Sequence, residues 1–193
     1  MSRVEEILTF WFGNPRDDEE YYDTWHTRWF TPDPQFDHTI SEHFFDDYQL
    51  AAKCTLREWQ NTPRSGLALI LLLDQFPRNM FRGDSRAFAS DSLARDMATH
   101  LIAQGLDQQL FPVERSFVYL PFMHSEVLSD QQYSVTLFRQ LAQERSYLNS
   151  VPYALKHQEI IQRFGRFPHR NTILGRPSTA EEEEFLKQPA SSF

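Results

Sequence analysis

Apolar residues recur every three or four positions along almost the whole chain. Val4, Ile7, Leu8 and Trp11 share one helical face that Gly13-Asn14-Pro15 ends, and the charged stretch Arg16 to Glu20 leads to a short aromatic helix with Tyr21, Tyr22, Trp25, Trp29 and Phe30. Asp33-Pro34 and Thr62-Pro63 are each a cap followed by proline at the first helical position. The first opens a long helix with Phe36, Ile40, Phe44, Tyr48 and Ala51 inward; the second opens Gly66 to Leu73, apolar on every side and therefore expected at the centre of the molecule. Further helices are predicted through Phe88 to Leu101 with Gly105 as the stop, through Phe117 to Val127 with Pro121 kinking or interrupting it, and from Ser129 to about Glu144. The last two run from Ser150 through Phe164 and from a capping box at Ser178-Thr179-Ala180-Glu181-Glu182. No useful strand alternation survives. The predicted fold is all-α: a compact helical bundle or stacked helical hairpins in a single domain over 1–187, with a disordered tail at 188–193.

One phrase occurs twice. Asp74-Gln75-Phe76-Pro77-Arg78-Asn79-Met80-Phe81-Arg82-Gly83 and Gly165-Arg166-Phe167-Pro168-His169-Arg170-Asn171 each follow an apolar helical pattern, break it at Phe-Pro, and present Arg and Asn on an irregular segment. Ordering an Arg there is costly unless its fork meets a carboxylate, a phosphate or carbonyls. The two loops are thus expected to converge and to share partners such as Asp74 or Glu126.

Composition narrows the function classes. The 193 residues carry a formal net charge of -8, which argues against nucleic acid or anionic lipid as a partner, yet Arg163, Arg166, Arg170 and Arg176 form a cationic stretch without an acid among them. These arginines either staple helices to the surplus of Asp and Glu or bind an external anion. Cys54 is the only cysteine, so no intrachain disulfide forms, and neither a signal core nor a membrane-length apolar run is present; the expected location is the cytoplasm. A glycine-rich phosphate loop and a nucleophile elbow are both missing.

Several blocks resemble a known family: Phe10-Trp11-Phe12, Leu72-Leu73-Asp74-Gln75-Phe76-Pro77-Arg78-Asn79, Arg82-Gly83, Tyr119-Leu120-Pro121-Phe122-Met123-His124-Ser125-Glu126, and Phe164 to Asn171 followed by Leu174-Gly175-Arg176. They look like the signature blocks of the bacterial family of unknown function numbered 924, from about Val4 to Leu186. The resemblance implies a tetratricopeptide-like all-helical fold and no particular activity, cofactor or partner.

The candidate chemistry therefore comes from the residues. Asp74, Arg78, Asn79, Arg82, Arg166, Arg170 and Asn171 are the candidate ligand-binding set, an Arg/His/Asn-lined groove for a carboxylate or phosphate on a small molecule or peptide. The alternative is a small-molecule enzyme, hydrolase-like, in which His124, Glu126 and His169 transfer protons. His124 and Glu126 can form a base with its orienting carboxylate, or two metal ligands completed by His157 or His169, but on a regular helix they diverge by about 200°. No metal site is expected, and a structural hydrogen-bond network is the plainer reading of that block. His157 reads as a buried or lining histidine on the face of Ile160 and Ile161.

Overall fold

A computed structural model describes residues 1–189 and 191. Every regular element among them is helical: α1 (Arg3–Phe12), α2 (Glu19–Phe30), α3 (Pro34–Ala52), α4 (Pro63–Ile70), α5 (Phe76–Met80), α6 (Asp91–Ala103), α7 (Pro112–Met123), α8 (Leu128–Glu144), α9 (Val151–Phe164) and α10 (Ala180–Leu186). Short 3-10 turns join them, among them Ser85–Phe88 and Pro168–Arg170. Side-chain caps fix several of the starts. Asp33 accepts the amides of Gln35 and Phe36, Thr62 accepts that of Ser65, and Thr179 with Glu182 closes a reciprocal box at α10.

The all-apolar segment lies at the centre, as its pattern requires. Leu67 to Leu73 are buried without exception, and the main apolar cluster gathers residues from Ile7 of α1 to Ala154 of α9 around them. Trp11, Phe12, Phe76 and Phe117 fill its aromatic heart, where Trp11 stands 5.5 Å from Phe76 and Phe12 5.2 Å from Phe117. α4 can approach α6 closely because Gly66 has no side chain: a Cβ there would lie 2.6 Å from Leu101. Helix α7 packs against α4, α6, α8 and α9, and α8 lies between α7 and α9.

Two helix-breaking prolines lie inside helices. Pro121 does not interrupt α7, which continues to Met123 with His124 at its C-cap. Pro77 does not stop the central helix either. The chain widens into a single π-helical segment, Leu71–Gln75, in which the Phe76 amide reaches the Leu71 carbonyl, and helix resumes through Pro77 to Met80. The Leu73 carbonyl, which an amide at position 77 would otherwise occupy, accepts the Ser90 hydroxyl at 2.7 Å.

Of the tail read from Gln188 onward, Ala190, Ser192 and Phe193 lie outside the described residues. Ser191 is buried, and its hydroxyl donates to the Leu186 carbonyl at 3.0 Å. No helix among the described residues is long and apolar enough to cross a membrane.

Candidate functional site

The π-helical segment places two polar side chains in an apolar core. Asp74 is fully buried, accepting from His124 Nδ1 at 2.8 Å and from Gln75 Nε2 at 2.5 Å, with Arg78 at 3.3 Å. Burial alone would raise its pKa, but the Arg78 charge and the hydrogen bonds from His124 and Gln75 prevail and hold it down to about 2. Arg78 in turn lays its fork on Asp91, the first residue of α6, at 3.0 and 3.1 Å, while its Nη1 also donates to the Asp74 carbonyl.

The second loop leaves α9 by another device. Gly165 takes a left-handed conformation at φ +67, its amide donating to Ile161, and the chain reverses into the Pro168–Arg170 turn. Phe167 is completely buried in a satellite cluster with Ile160 and Ile161, and its amide donates to Glu126 Oε1 at 2.8 Å. Glu126 also receives the Arg176 fork at 2.7 and 3.0 Å, and Arg176 Nε donates to Asn171 Oδ1. Burial opposes ionisation of Glu126, yet Arg176 and the Phe167 amide keep its pKa below the usual range. Asn171 donates to Ser178, and Arg166 grips Glu182 at 2.7 and 2.8 Å and the Pro177 carbonyl.

The loops meet at Asp91. Arg170 Nη1 lies 3.5 Å from Asp91 Oδ2, on the carboxylate that Arg78 holds, and the network runs His124, Asp74, Arg78, Asp91, Arg170. The Arg170 guanidinium is sandwiched between the rings of Phe88 and Phe167, 4.6 and 4.5 Å from their centroids. Its Nε is buried with no hydrogen-bond partner among the described residues. Burial and then the nearby Arg78 charge push its pKa down to about 10. Arg170 stays charged at neutral pH, whereas the surrounding imidazoles are held neutral. Burial brings His157 down to about 3 and, with the Arg170 charge next, His169 to about 4; burial and Arg78 also lower His124, against the pull of Asp74.

Of the residues singled out in the sequence, Asp74, Arg78, His124 and Arg170 are thus brought together, with the His169 ring tilted by 37° against the Phe167 ring at 5.6 Å. Asn79 and Arg82 lie elsewhere, both on Asp37 of α3 at 2.7 to 2.9 Å. Arg166, Asn171 and Glu126 brace the second loop. Glu126 does not orient His124: two residues past the C-cap, it is held by the Phe167 amide and the Arg176 fork, and the carboxylate on His124 is Asp74. No three His, Cys, Asp or Glu side chains among the described residues are grouped to hold a metal. The sequence did not mark Asp91 or Phe88 as part of the site, whereas Arg176 takes the stapling role expected of the cationic stretch. A carboxylate at a helix start signals only dipole chemistry, so nothing in the chain marked Asp91 as the point where both loops join. Two surface depressions, of about 430 and 480 Å³, are lined by other residues, around His38 and His43 and around Thr62 and Arg64.

Fold and site together define an all-helical protein in which two Phe-Pro loops are tied through one carboxylate. Residues 7–190 match the model of the bacterial proteins of unknown function known as DUF924, and the chain belongs to that family. It is also similar to a solved structure of a protein of unknown function, ATU0120 from Agrobacterium tumefaciens, at 39% identity and a TM-score of 0.84, over 96% of this chain and 97% of that one. No curated protein matches.

Proposed function

We propose that the junction of the two loops binds an anionic group of a small molecule or peptide, with Arg170 as the principal cation and Arg78 and His124 beside it, in a protein of the cytoplasm. The observation that carries this reading is the contrast among the arginines. Arg166, Arg176 and Arg82 spend both prongs of their forks on carboxylates at 2.7 to 3.0 Å, whereas among the described residues Arg170 has a single 3.5 Å contact to an acid already engaged by Arg78. A buried cation so weakly compensated is a place where an added anion recovers electrostatic energy. The net charge of -8 speaks against nucleic acid as that anion. Calorimetric titration with inorganic phosphate and citrate tests the reading: Arg170→Met, which keeps the stem packing, is expected to weaken uptake at least about tenfold, or about 1.4 kcal/mol. Equal uptake by the variant would refute it.

The enzymatic alternative keeps His124 and His169 but exchanges its carboxylate. Glu126 is committed to Arg176 and the Phe167 amide, and Asp74 takes the position beside His124.

A further inference from the structure

We propose that His124 is the proton acceptor of this site, a general base whose tautomer Asp74 fixes and whose substrate is an anionic molecule, or a water beside it, held at Arg170. The inference rests on the anion reading above. Geometry leads to it. Asp74 is ionised and entirely enclosed, so the ring nitrogen 2.8 Å from its Oδ1 must carry the hydrogen. Nδ1–H therefore donates to Asp74, and the lone pair resides on Nε2. No described residue hydrogen-bonds to Nε2, and the side chain retains 16% exposure at the C-cap of α7, so the ring is not fully sealed in the core.

The carboxylate does what an orienting group must. It prevents ring rotation, selects one tautomer, and stabilises the imidazolium that forms when Nε2 takes a proton. In the transfer, the donor O–H or N–H bond of the substrate or water breaks, its electron pair stays on that atom, and the hydrogen passes to Nε2 while Nδ1–H remains on Asp74. The charged groups facing the ring are Asp74 and Arg78 from the central segment and α5 and Asp91 from α6, and the titratable but neutral His157 imidazole comes from α9. Burial and Arg78 keep the ring neutral, so the base is in its reactive form at neutral pH.

Diethyl pyrocarbonate acylates only an imidazole nitrogen bearing a lone pair, and peptide mass spectrometry reads each histidine separately. Folded full-length protein should be acylated at His124 with a pH midpoint below that of the same residue in the guanidinium-unfolded chain. Inorganic phosphate or citrate should slow the labelling severalfold in the parent and leave it unchanged in Arg170→Met. Long-range 1H–15N spectra of the parent should show the hydrogen on Nδ1. A hydrogen on Nε2, or no acylation of His124 at pH 7 while the exposed His38 reacts, overturns the inference. So does unchanged labelling at anion concentrations that calorimetry shows to be bound, a result that leaves the anion site standing. Absence of any uptake of either anion would overturn the anion reading first, and with it this assignment.

Discussion

The two Phe-Pro loops share a sequence phrase but are built by opposite means. The first is a continuation of the central helix: a π-helical turn absorbs Pro77, Phe76 stays in the main aromatic core, and the irregular backbone begins only after Met80. The second is a true exit, reversed by a left-handed Gly165 and pinned by Phe167 in a small cluster of its own. The first loop therefore borrows its rigidity from the core, whereas the second depends on ion pairs through Glu126, Arg176, Arg166 and Glu182. The lesson is that a motif specifies side chains, while the elements on either side decide what fixes them.

Breaking the core support should have the largest effect. Leu71 opens the π-helical turn and is fully buried, so Leu71→Asp is expected to cost about 4 kcal/mol or more in denaturant unfolding. A parent-like midpoint would place the first loop's support elsewhere. Glu126→Gln should come next. It strips the Arg176 fork and weakens the acceptor of the Phe167 amide, for an expected loss of about 2 kcal/mol. Limited proteolysis should then open residues 165–176 before residues 76–83; simultaneous cleavage would erase the contrast between the loops.

Acid should loosen the second loop selectively. His169 and His157 stay neutral until about pH 4 and 3, whereas in the unfolded chain they take up protons near the ordinary value of about 6.5. Between these limits the unfolded state binds more protons, so stability falls as pH drops below about 6.5, and His169→Gln should flatten the upper part of that decline. Chemical denaturation from pH 7 to 4 measures it; an identical slope in the variant would mean that His169 titrates normally. Arg170→Met should shift stability by under about 1 kcal/mol, because Asp91 keeps the Arg78 fork. A large loss of melting temperature would make Arg170 a staple like its neighbours. Smallest of all should be Arg82→Met, where a half-exposed pair with Asp37 is worth about 0.5 kcal/mol in a melting comparison.

By itself the sequence determined the all-helical class, the caps at Asp33, Thr62 and α10 and the burial of Leu67 to Leu73, because helical periodicity and capping chemistry act over three or four residues and are written locally. It also marked both loops and most of the polar residues between them. Which residues pair was decided only by tertiary structure. His124 meets Asp74, fifty positions away, instead of its neighbour Glu126, and Asp91 joins Arg78 to Arg170 across three separate elements. The reason is geometric: a charged side chain takes whichever partner packing delivers within about 3 Å, and that choice depends on where whole helices cross. The helix running through Pro77 belongs to the same class, since the Ser90 hydroxyl that satisfies the stranded Leu73 carbonyl arrives from the turn ahead of another helix.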